Sequence, residues 1–179
     1  RSVSDTLKLS PFLNLPARKL TADQKQLISL GRGLVREDVA GVLMDEPLTV
    51  IDPDLKFRLR RNLKEINEQY KTTLVYVTHD QNEAMTFADN IIVMDQGEIV
   101  QVGLPKDLFE RPKTTFVGYF IGSPAMNIFE SEVASDYSVK INDFNIKTNS
   151  NLSNLKSKKV KLGIRSEFIN IAQNEGENT

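Results

Sequence analysis

The sequence predicts an α/β domain, a mostly parallel sheet with flanking helices, followed by the start of an all-β segment. Two observations carry this reading. Short apolar strands alternate with amphipathic helices as far as Ala88, which is the pattern of crossover-connected parallel strands. From Asn127 onward the texture changes to short alternating segments (Ile128 to Val133, Tyr137 to Ile141, Val160 to Ile164) separated by Asn-, Ser- and Lys-rich stretches. Gly122-Ser123-Pro124 lies between the two textures and reads as a boundary. The expected division is therefore 1–122 and 123–179.

The elements follow in order. Thr21 to Val35 is expected as a helix, because Thr21-Ala22-Asp23-Gln24 has capping-box spacing and Leu27, Leu30 and Leu34 recur on one face. Gly41 to Met44 is a short apolar run ended by two acids and Pro47, which suits a buried strand. Asp54 to Tyr70 is the clearest helix: Leu55, Leu59, Leu63, Ile66 and Tyr70 make one stripe and charged residues take the other faces. Thr73 to Thr78 is rich in β-branched residues and reads as a strand, Asp80 to Ala88 as a helix. Ile91 to Met94 and Glu98 to Val102 then read as a hairpin around Asp95-Gln96-Gly97.

Composition bounds the function classes. A hydrophobic fraction of 40% and a charged fraction of 26% are ordinary for a globular chain. The net charge of −1 (23 Lys and Arg against 24 Asp and Glu) creates no field that would draw nucleic acid. The run Lys156, Lys158, Lys159 is too short to argue for it. There is no cysteine, so disulfides and thiolate metal sites are excluded. No apolar stretch is long enough to span a bilayer.

Two places carry chemistry. Val42-Leu43-Met44-Asp45-Glu46 ends a buried strand in adjacent carboxylates, at the edge where open α/β sheets bind ligands. One such acid can hold Mg²⁺ while its neighbour orients an attacking water, as phosphate chemistry needs. The plain alternative is that acids follow strands because loops are wet. The second place is Leu74 to Asp80, where His79, the single histidine, directly follows another strand. A lone histidine is usually structural or solvated; beside the acidic pair it would meet a phosphate or the water.

Leu20-Thr21-Ala22-Asp23-Gln24, Met44-Asp45-Glu46-Pro47, Thr49-Val50-Ile51-Asp52 and Thr78-His79-Asp80 follow the motif order of ABC transporter ATPases. They resemble, in turn, the signature, Walker B, the D-loop and the switch histidine. Glu83-Ala84-Met85, Ala88-Asp89, Gln101-Val102-Gly103 and Phe120-Ile121-Gly122-Ser123-Pro124 narrow the likeness to the subunits of maltose- and glycerol-phosphate-type importers. Gly163-Ile164-Arg165-Ser166-Glu167 resembles a Gly-Ile-Arg-Pro-Glu element in that family's oligonucleotide-binding-like regulatory domain, with Ser166 in place of the proline.

The resemblance implies a P-loop NTPase-type ABC cassette, present in part, followed by part of an OB-like domain. It implies ATP and Mg²⁺ as cofactors, with Asp45 at the metal and Glu46 polarising water. His79 would stand at the γ-phosphate, Asp52 would communicate across a dimer, and Thr21, Ala22, Asp23 and Gln24 would face nucleotide held by a second ATPase subunit. Further expected partners are membrane permease subunits and, indirectly, an extracytoplasmic binding protein, with the subunit peripheral on the cytoplasmic face. The transported solute would be a sugar or similar polar molecule.

Two departures bear on activity. No G-x-x-x-x-G-K-[ST] phosphate loop occurs in these 179 residues. The chain is therefore expected to be a C-terminal part of such a subunit that does not hydrolyse ATP alone. The family's Leu-Ser-Gly-Gly-Gln signature has become Leu20-Thr21-Ala22-Asp23-Gln24. Ala22 adds a methyl where backbone must approach phosphate, and Asp23 adds a negative charge there. Asp23 has a plain structural reading too, since an acid in a helix's first turn suits the dipole. The alternative function is a non-catalytic ABC-like interaction or regulatory module.

Overall fold

The computed structural model describes residues 3–36, 39–155 and 158–169. The chain forms two compact units, Arg1–Ala88 and Asp89–Thr179.

In the first unit, α1 (Val3–Thr6) and two single 3-10 turns lead into α2 (Ala22–Leu34). The capping box forms: the Thr21 hydroxyl accepts from the Gln24 amide, and the Gln24 side chain accepts from the Thr21 amide at 3.0 Å. These bonds occupy donors that a helix start leaves unpaired. β1 (Gly41–Asp45) and β2 (Thr73–Val77) pair in parallel, Gly41 opposite Thr73 and Asp45 opposite Val77. α3 (Pro53–Tyr70) connects them, the long crossover that parallel neighbours need. α4 (Gln81–Phe87) follows, capped by Asp80, whose carboxylate accepts from the Asn82 and Glu83 amides.

The predicted stripes build the core. Leu27, Leu30 and Leu34 of α2 pack with Leu59, Leu63 and Ile66 of α3 and with Met44 of β1. The side chain of Tyr70 lies outside those described. Strand alternation then splits the small sheet. Val42, Leu74 and Tyr76 pack against this core, whereas Leu43, Val75 and Val77 are exposed, Leu43 to 81%. A parallel sheet is ordinarily covered on both faces.

In the second unit, β3 (Ile91–Asp95) and β4 (Glu98–Gly103) form the expected antiparallel hairpin. Its turn residues Gln96 and Gly97 have φ of 49° and 85°, the left-handed pair that a tight two-residue hairpin requires. Two short helices, α5 (Pro105–Glu110) and α6 (Thr115–Phe120), come next. β5 (Asn127–Ser135), β6 (Ser138–Ile141), β7 (Phe144–Lys147) and β8 (Lys159–Ile164) then form an antiparallel sheet in the order β7-β6-β5-β8. Lys159 opens β8, and Lys156 lies outside the described residues.

Arg165 pins the end of β8. It is buried, its Nε donates to the Phe109 carbonyl at 2.9 Å, and its guanidinium lies 3.9 Å from the centre of the Phe109 ring. Gly122, at φ 117°, makes room for it: a Cβ there would stand 2.4 Å from an Arg165 terminal nitrogen. Ser166, the residue that departs from the family's proline, accepts a bond from the Asn127 side-chain amide at 3.2 Å. Among the described residues no helix is long and apolar enough to cross a membrane.

Candidate active site

The parallel register of β1 and β2 brings their carboxyl ends together. Glu46 and His79, each just beyond its strand, therefore emerge at one edge. The Glu46 amide extends the ladder by donating to the Val77 carbonyl at 2.9 Å. Its backbone is held at φ 48°, a left-handed conformation that a residue with a Cβ adopts rarely and that tends to mark functional sites.

This conformation turns the Glu46 carboxylate toward the loop after β2. One oxygen accepts from the His79 amide at 3.0 Å and meets His79 Nδ1 at 2.5 Å. The other accepts from the Thr49 hydroxyl at 2.8 Å. A carboxylate only accepts, so Nδ1 carries the proton in this arrangement. Burial pushes the Glu46 carboxyl up, but the bonds from the His79 ring, Thr49 and the His79 amide outweigh it and hold it below the usual value. Glu46 is thus an anion at neutral pH. Its side chain is 34% exposed and that of His79 75%, so both are within reach of a ligand.

Asp45 ends β1 in an exposed position. It shares a small cleft of about 150 Å³ with Gln26, Ser29 and Pro47. Its hard carboxylate oxygens suit Mg²⁺, which keeps several waters and takes few protein ligands. Among the described residues no three His, Asp or Glu side chains gather into a group that could hold a metal ion by themselves. Asp52 is exposed just before α3, and its carbonyl accepts from the Lys56 amide at 2.8 Å.

At the start of α2, Thr21 and Ala22 are exposed. The Thr21 hydroxyl donates to the Asp23 carboxylate while accepting from the Gln24 amide. A hydroxyl has one proton to donate, and here it points to Asp23. That bond, against slight burial and with help from the Gln24 and Asp23 amides, holds the Asp23 carboxyl below its ordinary value. The helix start thus presents a negative charge with the nearest hydroxyl proton turned inward. Two turns of chain are tied together here, since the Gln26 side chain donates to the Pro47 carbonyl at 3.0 Å, linking α2 to the loop that carries Glu46.

The structure therefore joins Glu46 to His79 and sets Asp45 beside them in sequence, while Thr21, Asp23 and Gln24 bond among themselves. Sequence reading missed Thr49, whose hydroxyl reaches back three residues to Glu46. It also missed Glu83 as a buried partner of the strand end. An Asp80-x-x-Glu83 spacing was the available signal for a helix start, but spacing does not reveal burial.

A family described as "MalK OB fold domain" matches residues 122–169. The trehalose/maltose import ATP-binding protein MalK of Thermococcus litoralis is 44% identical over 147 residues, covering 82% of this chain and 39% of that protein. The sn-glycerol-3-phosphate import ATP-binding protein UgpC of Psychromonas ingrahamii is 39% identical, covering 97% of this chain and 46% of its own length. The chain thus spans less than half the length of these relatives. Among solved structures, MJ1267 in its ADP conformation, an ATP-binding cassette of an ABC transporter, superposes with a TM-score of 0.53 over 64% of this chain and 46% of that one. At 24% identity this likeness speaks for the fold alone.

Proposed function

We propose that this chain, a C-terminal part of an ATP-binding subunit of the carbohydrate ABC importer family, supplies the hydrolytic residues of an ATPase that powers import of a sugar or similar polar solute. The Glu46–His79 contact beside Asp45 carries the proposal. Glu46, ionised and fixed by three hydrogen bonds, would polarise the attacking water. His79 holds that carboxylate with its amide and Nδ1, and its exposed ring edge is the part a γ-phosphate would meet. Asp45 would ligate Mg²⁺, which neutralises phosphate charge when bound. The start of α2 would face nucleotide held by a second subunit, where helix amides favour phosphate.

The division into a cassette part, 1–122, and a linker with an OB-like part, 123–179, is supported by the family match at 122–169 and by the antiparallel sheet that begins at Asn127. The open apolar face of Leu43, Val75 and Val77 supports reading the two-stranded sheet as a portion of a larger one. The partners would be a second ATPase subunit, closing head to tail, and membrane permease subunits served by an extracytoplasmic binding protein. The subunit would sit at the cytoplasmic face of the membrane. The names of the relatives, as import ATP-binding proteins, support these assignments.

A second reading, a non-catalytic module, is favoured by one observation: Asp23, which the resemblance would set toward phosphate, adds a negative charge at the start of α2 and accepts from the Thr21 hydroxyl. Joining these 179 residues behind the upstream part of the Thermococcus litoralis relative separates the readings. Mg²⁺-dependent ATP turnover by the soluble chimaera supports the enzyme. ATP binding without turnover supports the module.

A further inference from the structure

Glu83 has no part in the chemistry above, yet it is the most enclosed carboxylate described, with only 3% of its surface exposed. A buried carboxylate is costly unless every lone pair is satisfied, and Glu83 is surrounded by donors from three directions. One oxygen accepts from the Tyr76 hydroxyl at 2.8 Å and from the Thr78 hydroxyl at 3.0 Å. The other faces Lys56 at 3.6 Å and Arg60 at 3.9 Å, both on α3. Burial, then the bond and charge of Glu83, push the Tyr76 hydroxyl up, so it remains a donor.

The connections continue to the active site. Thr78, whose hydroxyl donates to Glu83, accepts from the Asp80 amide at 3.0 Å. The Asp80 carboxylate in turn accepts from the Asn82 and Glu83 amides at the start of α4. His79 lies between these two anchored residues. Its amide and ring both meet one Glu46 oxygen, an arrangement that needs the backbone at 78–80 held in a single orientation.

We propose that Glu83 is the positioning residue of the His79 loop. Its acceptor oxygen, held at the β2 end while the other oxygen faces the α3 cations, fixes Thr78 and through it the direction in which His79 meets Glu46. This rests on reading Glu46 and His79 as the working pair. It further implies that α3, which begins directly after Asp52, is joined to the histidine loop through Lys56 and Arg60.

The test uses the one histidine of the chain as its reporter, through imidazole ¹⁵N–¹H correlation spectra, which show which ring nitrogen carries the proton. Glu46→Gln gives the reference change on losing the carboxylate partner. Thr78→Val, which keeps the branched shape and removes the Glu83 link together with the acceptor for the Asp80 amide, is expected to move the His79 Nδ1 signal more than half of the way to that reference. Tyr76→Phe removes an equal bond to the same Glu83 oxygen away from the loop and is expected to leave His79 unchanged. Glu83→Gln, which still offers an acceptor to Thr78, should keep most of the native signal where Glu83→Ala does not. Should Glu83→Ala fail to fold, Thr78→Val still tests the link. An unmoved His79 in Thr78→Val, with a shifted one in Glu46→Gln, overturns the positioning role. If Glu46→Gln also leaves His79 unmoved, the pair itself is absent and both readings fall.

Discussion

Replacing Leu63 with alanine probes the support on which the candidate site's edge stands. Leu63 lies on α3 with no exposed surface and packs in the core that holds Met44 just before Asp45. Removing its three outer carbons costs their transfer free energy plus the cavity left behind, about 2.7–5 kcal/mol in well-packed sites. The sheet's uncovered face, with Leu43 exposed to 81%, allows some collapse around the cavity, so about 3 kcal/mol is expected. A unit the size of Arg1–Ala88 has roughly 4–13 kcal/mol of stability in all, so this single change removes a large share. The chain has no tryptophan, and far-UV circular dichroism in urea is the natural assay. At a slope of about 1.5 kcal/mol/M the midpoint should fall by about 2 M. Leu43→Ala on the open face is the control, expected within about 0.5 kcal/mol of the native chain. A cost below about 1 kcal/mol for Leu63→Ala would refute the packing argument. An equal cost for Leu43→Ala would show that the open face is covered in solution.

Three further outcomes are expected. Ala22→Gly with Asp23→Gly in the chimaera removes the charge at the start of α2 and frees the Thr21 hydroxyl, so steady-state ATP turnover should rise; unchanged turnover contradicts a braking role for Asp23. Glu46 has a depressed carboxyl in the folded chain, so its contribution to stability is present above its unfolded value and is lost as pH falls through the lower folded one. Native-minus-Glu46→Gln stability, measured by urea titration, should therefore shrink as pH drops below about 4.5; a difference that grows on acidification contradicts the assigned bonds. Gly122→Ala forces a side chain at φ 117° against Arg165 and should cost about 1–3 kcal/mol, read as a lowered melting temperature; a neutral result means Arg165 does not fill that space.

The sequence made the longer elements readable for physical reasons. Thr21 and Gln24 start α2 because their spacing closes reciprocal bonds, and the stripe of α3 is visible because Leu59, Leu63 and Ile66 share a face. Strand ends at Asp45 and Val77 are marked by the switch from apolar to acidic or hydroxyl residues. The short pieces, α1, α5, α6 and β7, were missed, since four to six residues contain too little periodicity to register. Within the candidate site, the acids and His79 stood out by type and position. The left-handed backbone of Glu46, the Thr49 bond and the Thr21–Asp23 bond did not, because they depend on which way a loop turns. The burial of Glu83 was hidden for a related reason: its two cations sit more than twenty residues away, and only the packing of α3 brings them to it.

The most direct measurement is ATP turnover and ATP binding by the chimaera, with and without Glu46→Gln. The change keeps the side chain's shape and removes the carboxylate that His79 and Thr49 hold. Turnover is expected to fall by about 10² to 10⁴-fold with binding largely retained. Turnover that survives within a few-fold would contradict the proposed role of Glu46, because the carboxylate fixed at the end of β1 would then not be the group that acts on water.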